Sequence, residues 1–247
     1  MKITIITITF NSAKTLEQTI NSVLNQTFKN IEYVIVDGGS SDGTLSIIEK
    51  YNHRISKYIT EKDEGLYDAL NKGIEMATGD VIGFLHSDDF YIDNLVIQKY
   101  AEVFESTKCD AVYSDLYYVD RTNTDKIIRK WKSGKLNKNS FLHGWMPPHP
   151  TFFVKNEMYQ KFGKFNTDFI TAADYELMLR FILKYKIKIT YLPEFTVKMR
   201  QGGRSNKSIQ NRIFANSEDR KAWQVNSLTP KFYTLYLKPL RKIFQFF

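Results

Sequence analysis

The chain has 247 residues, 43% of them hydrophobic and 25% charged, a balance that suits a soluble globular protein with room for one large α/β domain or a domain plus an appendage. A single cysteine, Cys109, excludes an internal disulfide and a cysteine-built zinc site, and suits a reducing compartment. The net charge of +8 is unevenly spread: residues 180–247 hold 15 Lys and Arg against 3 Asp and Glu, a net +12, while residues 1–179 are net −4. The basic third suits anionic lipid, nucleic acid or a phosphorylated substrate.

Residues 3–9 are rich in β-branched side chains and broken by threonines, so they read as a buried strand and not a signal peptide. No stretch approaches the ~18 apolar residues of a membrane span, and a cytoplasmic protein is expected. Helical spacing follows over 13–25, with Leu16, Ile20, Val23 and Leu24 on one face. Residues 31–36 read as a second strand, 38–43 as a turn, 44–51 as a helix and 55–59 as a third strand. Residues 66–77 are helical, closed by Gly79-Asp80, and 81–85 form a fourth strand, with a helix starting near Tyr91. This β-α-β-α-β-α-β order predicts a mostly parallel central sheet flanked by helices, an α/β fold. Beyond it, 111–119 and 126–131 read as strands, 144–150 as a Pro-rich loop, 175–185 as an amphipathic helix, 187–192 as a strand and 208–225 as a helix. With no repeat and no low-complexity linker, the chain reads as one domain over 1–205, its halves meeting near residue 110, with a helical basic and aromatic extension over 206–247.

Just past the fourth strand stand Asp88 and Asp89. In open α/β sheets the rim beyond the strand C-termini is where ligands bind. Adjacent carboxylates repel unless a cation, a donor or water compensates, and Mg²⁺ uses one or two carboxylates with phosphate oxygens. The alternative is an Asp-rich turn capping the next helix. Asp37 ends the second strand before Gly38-Gly39-Ser40-Ser41-Asp42-Gly43-Thr44. A strand-end Asp suits a base or ribose contact, and Asp42 suits a helix cap. The loop is neither a P-loop nor Gly-x-Gly-x-x-Gly, which disfavours a dinucleotide cofactor.

Thr9-Phe10-Asn11, the segment from Asp37 to Thr44, and Ser87-Asp88-Asp89, in this order and spacing, resemble the family 2 inverting glycosyltransferases of the GT-A fold. Glu61 to Gly73, Pro148-His149-Pro150-Thr151-Phe152-Phe153, Ala173-Asp174-Tyr175-Glu176 and Gly202-Gly203-Arg204-Ser205 resemble the bacterial surface-polysaccharide branch of that family. The resemblance implies a catalytic base at Asp174 and a metal ligand, for Mn²⁺ or Mg²⁺, at Asp89. It implies a nucleotide-sugar pocket from Thr9, Phe10, Asn11, Asp37, Asp63, Asp68, Asn71, Lys72, Asp88 and Arg204. Inverting transfer needs one base on the face opposite the leaving group, so a carboxylate apart from the metal pair makes chemical sense; capping the helix that follows is the other use of Asp174. The chain departs from the family at Ala173, where Glu is common, at His86, where Asn or Asp is common, and at Leu70, where Arg is common. A phosphate contact is then left to Lys72, Arg200 or Arg204. His149 suits either the diphosphate or acceptor side or a packed core position. Trp131 and Trp145 suit sugar stacking or packing.

The tail from Pro230 to Phe247 alternates aromatics with Lys and Arg, and Pro239 is expected to interrupt any single helix there. Such a segment suits a membrane interface, each basic residue adding ~1 kcal/mol near anionic lipid; packing on the catalytic domain or on a second subunit is the other use. The expectation is a UDP-hexose-dependent hexosyltransferase acting on a saccharide, on a polyprenyl diphosphate lipid, in O-antigen, capsule or exopolysaccharide assembly. It would be cytoplasmic or peripheral on the inner face of the plasma membrane, with no nucleic-acid partner. The rivals are a sugar nucleotidyltransferase, disfavoured because no Gly-rich basic loop follows the first strand, and a non-enzymatic nucleic-acid- or lipid-binding protein.

Overall fold

The computed structural model describes residues 1–202, 209–241 and 245. The strands are β1 (Ile3–Thr9), β2 (Ile31–Asp37), β3 (Lys57–Thr60), β4 (Val81–Phe84), β5 (Asp89–Tyr91), β6 (Ala111–Val119), β7 (Ile127–Trp131), β8 (Phe153–Lys155) and β9 (Ile189–Arg200). The helices are α1 (Leu16–Leu24), α2 (Thr44–Lys50), α3 (Leu66–Met76), α4 (Val96–Thr107), α5 (Asn156–Phe162), α6 (Ala173–Met178), α7 (Ile209–Val225) and α8 (Thr234–Leu240). Among the described residues the strands form one sheet in the order β3-β2-β1-β4-β8-β6-β9-β5, with β7 on β6. The β3-β2-β1-β4 half is parallel. Beyond it β8 runs antiparallel to β4 and β6, while β6 and β9 are parallel.

Helices cover both faces of this sheet, so β1 is buried along its whole length. Period-two alternation sends Ile6, Ile8, Val34 and Val36 into one core with Leu70 and Ile74 of α3, and Ile3, Ile5, Tyr33 and Ile35 into another with Leu16, Ile20 and Ile48. α3 lies so close to β1 that a Cβ at Gly73 would sit 2.4 Å from Ile6 Cγ2. The parallel register pairs Thr9 with Asp37 and Asp37 with Thr60. The C-terminal ends of β1, β2, β3 and β4 therefore open on one edge, where the candidate residues gather.

The second half departs from local expectation. Residues 89–91 form β5, because they pair with β9 at Met199, Lys198 and Val197; the helix expected near Tyr91 begins at Val96. The strand expected to end at 192 runs on to Arg200, passing Pro193 where the β6–β9 register shifts. A bulge is where a strand tolerates proline. The helix expected over 175–185 is α6 followed by a wider π-helical stretch, Leu179–Lys184. Pro239 does not interrupt α8 but lies inside it. No helix among the described residues is long and apolar enough to cross a membrane.

Glu32 pins β2 to the loop after α3. Its carboxylate accepts Thr4 Oγ1 at 2.6 Å, the Thr78 amide at 2.7 Å and Thr78 Oγ1 at 2.8 Å, with Lys57 Nζ at 3.1 Å. Burial opposes ionisation, but these bonds outweigh it and bring the carboxyl from 4.5 down to about 2. The folded-state value is depressed, so this stabilisation is fully present above about pH 4.5 and is lost as pH falls toward 2. We expect Glu32→Gln to lose about 2–3 kcal/mol at neutral pH and about 5–10 °C in Tm, with the deficit vanishing near pH 2, read by thermal melts across pH.

Candidate active site

At the β1–β2 corner, the side chains expected to hold a nucleotide first hold one another. Asp37 is fully buried; Oδ2 accepts the amides of Gly39 and Ser40 at 3.2 and 3.0 Å, and Oδ1 accepts Ser40 Oγ at 2.5 Å. Asn11, at φ 49°, gives its amide to Ser40 Oγ at 2.8 Å and accepts the Ser41 amide on Oδ1 at 2.9 Å. Asp37 and Asn11 thus shape the two loops, with little acceptor capacity left on Asp37 for a ligand. Asp42, expected to cap α2, stands one residue before the cap, which is Gly43 at φ 101°, and it accepts the amide of Thr44, the first residue of α2, at 3.0 Å. Thr9 Oγ1 is buried without a hydrogen bond.

Phe10 at this corner is 51% exposed, and beside it lies Asp63, whose side chain is 14% exposed. A Cβ at Gly38 would meet Asp63 Oδ2 at 2.6 Å and the Phe10 ring at 3.5 Å, so glycine there makes room for the carboxylate beside the ring. Burial raises the Asp63 carboxyl, opposed by Lys72.

Three residues expected to touch the donor are engaged elsewhere. Lys72 Nζ lies 2.8 Å from Glu61, 3.0 Å from Asp63 and 3.1 Å from Asp68. An ammonium enclosed by three carboxylates has no donor to spare for a phosphate, and the Glu61 bond first, then Asp63 and Asp68, raises its pKa. Asp68 belongs to the same cluster and also accepts the Glu64 amide at 3.1 Å. Asn71 bonds the Phe165 main chain in both directions at 2.9 Å, which fixes a ring stacked on Tyr67. Arg204 lies outside the described residues.

The aspartates occupy the turn into β5, and backbone contacts lock that turn. Thr19 Oγ1 donates to the Asp89 carbonyl at 2.7 Å, and Arg200 Nη1 to the Asp88 carbonyl at 2.5 Å. Arg200 also bonds Gln18, so its guanidinium is engaged in holding the turn. Asp89 is 1% exposed, and neither carboxylate oxygen has a hydrogen bond. Burial, then the charge of Asp88, raises its pKa well above 3.8, with Arg200 opposing. A buried carboxylate without donors is costly unless something compensates. Asp88 beside it is half-buried. Among the described residues no three His, Cys, Asp or Glu side chains could enclose an ion. A cation here would take oxygens from a ligand as well, as Mg²⁺ does at phosphate sites. The orphaned oxygens of Asp89 and the donor chemistry of the pair fit such an ion.

Asp174 begins α6. Its Oδ1 accepts the Tyr175 amide at 2.8 Å and the Tyr67 hydroxyl at 3.3 Å, while Oδ2 has no side-chain partner among the described residues. Burial raises its pKa, opposed by Lys238, the Tyr175 amide and Tyr67. A half-buried carboxylate with a raised pKa can serve as a base. His86 feels the charge of Asp174 and of Asp88 alike. Burial holds the imidazole down while the charges of Asp88 and Asp174 both push it up. His149, 5.7 Å from His86 between ring centroids, is pushed down to about 3 by burial and by His86. Its Nε2 is unpartnered, and its ring lies against Phe84 and Phe165. Trp145 is buried, with its indole N–H donating to the Ser133 carbonyl at 2.6 Å, a packing role.

Sequence reading missed Tyr67 and Lys238 as neighbours of Asp174. Tyr67 stands in a segment that carries the family resemblance, a usable signal. Lys238 lies 64 residues after Asp174 in a tail whose composition points to lipid, and nothing local connects them.

The chain is 31% identical over 189 residues to an uncharacterised glycosyltransferase of Mycobacterium tuberculosis strain H37Rv, covering 72% of this chain and 68% of the relative. It is 29% identical over 176 residues to a PGL/p-HBAD biosynthesis glycosyltransferase of Mycobacterium bovis strain BCG, covering 70% and 66%. Staphylococcus aureus TarS 1-349 in complex with UDP-GlcNAc superposes with a TM-score of 0.70 at 17% identity, over 92% of this chain and 66% of that one. The chain thus spans slightly less than two thirds of that solved protein. The mannosyltransferase PcManGT from Pyrobaculum calidifontis, in complex with GDP-Man and Mn²⁺, gives 0.68 at 17% identity, over 96% and 68%. These neighbours share the GT-A fold. The glycosyl transferase family 2 model matches residues 4–184, from the first strand through the helix that carries Asp174, and the chain belongs to that family.

Proposed function

We propose that the protein transfers a glycosyl group, with inversion, from a nucleoside diphosphate sugar to an acceptor hydroxyl. The observation that carries this reading is that Asp174, a half-buried carboxylate with a raised pKa, acts on His86 together with an aspartate pair whose Asp89 oxygens lack any donor. Asp174 takes the proton of the acceptor hydroxyl as that oxygen bonds to the anomeric carbon. The bond from that carbon to the diphosphate breaks, and its electron pair leaves with the nucleotide. Asp89, with Asp88 beside it, holds a divalent cation, Mn²⁺ or Mg²⁺, which supplies charge stabilisation for the leaving diphosphate. Phe10 stacks on the base and Asp63 accepts from it, while Asp37 and Asn11 keep their loops in place.

The donor class is supported by neighbours solved with UDP-GlcNAc, UDP and GDP-Man. A UDP-hexose is the preferred donor, and a saccharide on a polyprenyl diphosphate lipid, in surface-polysaccharide assembly, the preferred acceptor. We take residues 1–205 as the catalytic unit and 206–247 as an extension. Its outer face, with Phe232, Tyr236 and Leu240 exposed beside Lys231 and Arg241, suits peripheral contact with an anionic membrane. Release of nucleoside diphosphate from a panel of UDP-hexoses and GDP-mannose tests the reading. We expect turnover of at least one donor with Mn²⁺ and none with a chelator. Absence of turnover and of binding across the panel would overturn it.

A further inference from the structure

The inner face of α8 is bound to the rest of the fold. Thr234 is fully buried and donates from Oγ1 to the Leu142 carbonyl at 2.7 Å. Gly144, at φ +73°, lies so close that a Cβ there would sit 2.4 Å from the Lys238 amide nitrogen. Pro239 lacks the N–H that would bond the Leu235 carbonyl, and Asn216 Nδ2 of α7 donates to that carbonyl instead, at 3.3 Å. This seating fixes Lys238. Its Nζ lies 2.6 Å from Asp219 Oδ1 and 3.6 Å from the centroid of the Tyr175 ring. Its side chain is 18% exposed, and that of Asp219 10%. Tyr175 follows Asp174 directly, and its hydroxyl accepts Trp223 Nε1 at 2.9 Å.

We propose that Lys238 is a positioning residue for the reaction: its ammonium, pinned by Asp219 and the Tyr175 ring, supplies the positive charge that keeps Asp174 ready to accept a proton, so that α8 completes the active site. The proposal rests on Asp174 being the base. Asp174 is bonded by Tyr67 from α3 and by the Tyr175 amide of its own helix; the charge of Lys238 acts on it, its own charge acts on His86 before β5 and Tyr118 of β6, and Asp219 of α7 stands on Lys238. Tyr67 is neutral, its hydroxyl pushed up by burial and by Asp174, and burial holds His86 toward its neutral form. Among the described residues Lys238 is thus the permanent cation acting on the carboxylate. At a partly dry site one cation offsets the burial that otherwise disfavours the charged form.

The test reads Asp174 directly, by ¹³C-carboxyl NMR titration of the whole protein, with its resonance assigned by its absence in Asp174→Asn. Lys238→Met is expected to raise the Asp174 midpoint by about half to one pH unit, a ~3- to 10-fold loss of the ionised form on the acid side. Lys238→Arg is expected to stay near the wild type. Lys238→Gln is a second neutral variant should Met disturb the packing on Tyr175, with near-UV circular dichroism reporting the Trp223 environment. An unmoved midpoint in the neutral variants, or Arg moving it as far as Met, overturns the proposal. A shifted midpoint alongside an Asp174→Asn variant that still transfers would sink the base assignment and, with it, the role of Lys238 in the reaction, leaving only the charge coupling between the two side chains. An unshifted midpoint alongside an inactive Asp174→Asn would sink the Lys238 proposal alone.

Discussion

Asp174→Asn is expected to lower glycosyl transfer by about 10²–10⁴-fold, the usual worth of a general base, while donor binding stays within about threefold of the wild type. The amide keeps the shape of the carboxylate, and its oxygen can still accept the Tyr175 amide and the Tyr67 hydroxyl, so the loop and α6 have no reason to move. It cannot accept a proton. The wild-type rate should fall on the acid side through a pKa above the ordinary Asp value, because burial outweighs Lys238, the Tyr175 amide and Tyr67. In the variant that limb should be absent. Stability carries the opposite sign. A carboxyl whose folded-state pKa is raised favours the fold at low pH and loses that contribution as pH rises through the folded value. The Asn variant should therefore be at least as stable as the wild type at neutral pH. Donor turnover against pH, with calorimetric binding of UDP and GDP, checks these points. Transfer within tenfold of the wild type would show that another group takes the proton.

The contrast between the two halves of the sheet shows which information is local. The order from β1 to β4 is written in short-range periodicity, because β1, β2 and β4 are buried on both faces and each helix presents one apolar stripe. β5 is three residues long and exists only because β9 runs on to Arg200, a long-range pairing that no window of sequence reports. The chemistry divides in a similar way. Asp88, Asp89 and Asp174 could be picked out as candidates, the pair by its place just past a strand and Asp174 through the family resemblance. The roles of Lys72 and Asn71 are not legible, since they depend on what stands opposite: three carboxylates in one case, the Phe165 main chain in the other. Asp37 was legible as a strand-end carboxylate, but its bonds to Gly39 and Ser40 are a property of the loop fold. Glycine at 38, where an added Cβ would meet Asp63, is the clue that a second carboxylate at this corner comes from farther along the chain.

The second large effect is expected at Asp89. With Mn²⁺ and UDP at about 100 times their dissociation constant, the wild type should gain about 2.7 kcal/mol by linkage, a rise of about 5–10 °C in Tm for a chain of this size. Asp89→Asn should lose most of that rise and at least about 100-fold in donor turnover, since an amide neither neutralises a divalent cation nor matches a carboxylate as a hard ligand. Without metal the variant should melt no lower than the wild type. The carboxylate it replaces is buried with both oxygens unpartnered, so the native side chain contributes no hydrogen bond that the fold would miss. Asp88→Asn separates the roles within the pair. Its side chain is half-buried, so solvent can share the work of a weakened ligand, and a smaller loss of the Mn²⁺-dependent rise is expected. Titrating Mn²⁺ with UDP, and in parallel with GDP, against the three proteins orders the two carboxylates. An undiminished rise in Asp89→Asn alongside a lost one in Asp88→Asn would move the ion to the more exposed neighbour and make Asp89 a carboxylate held buried for another purpose.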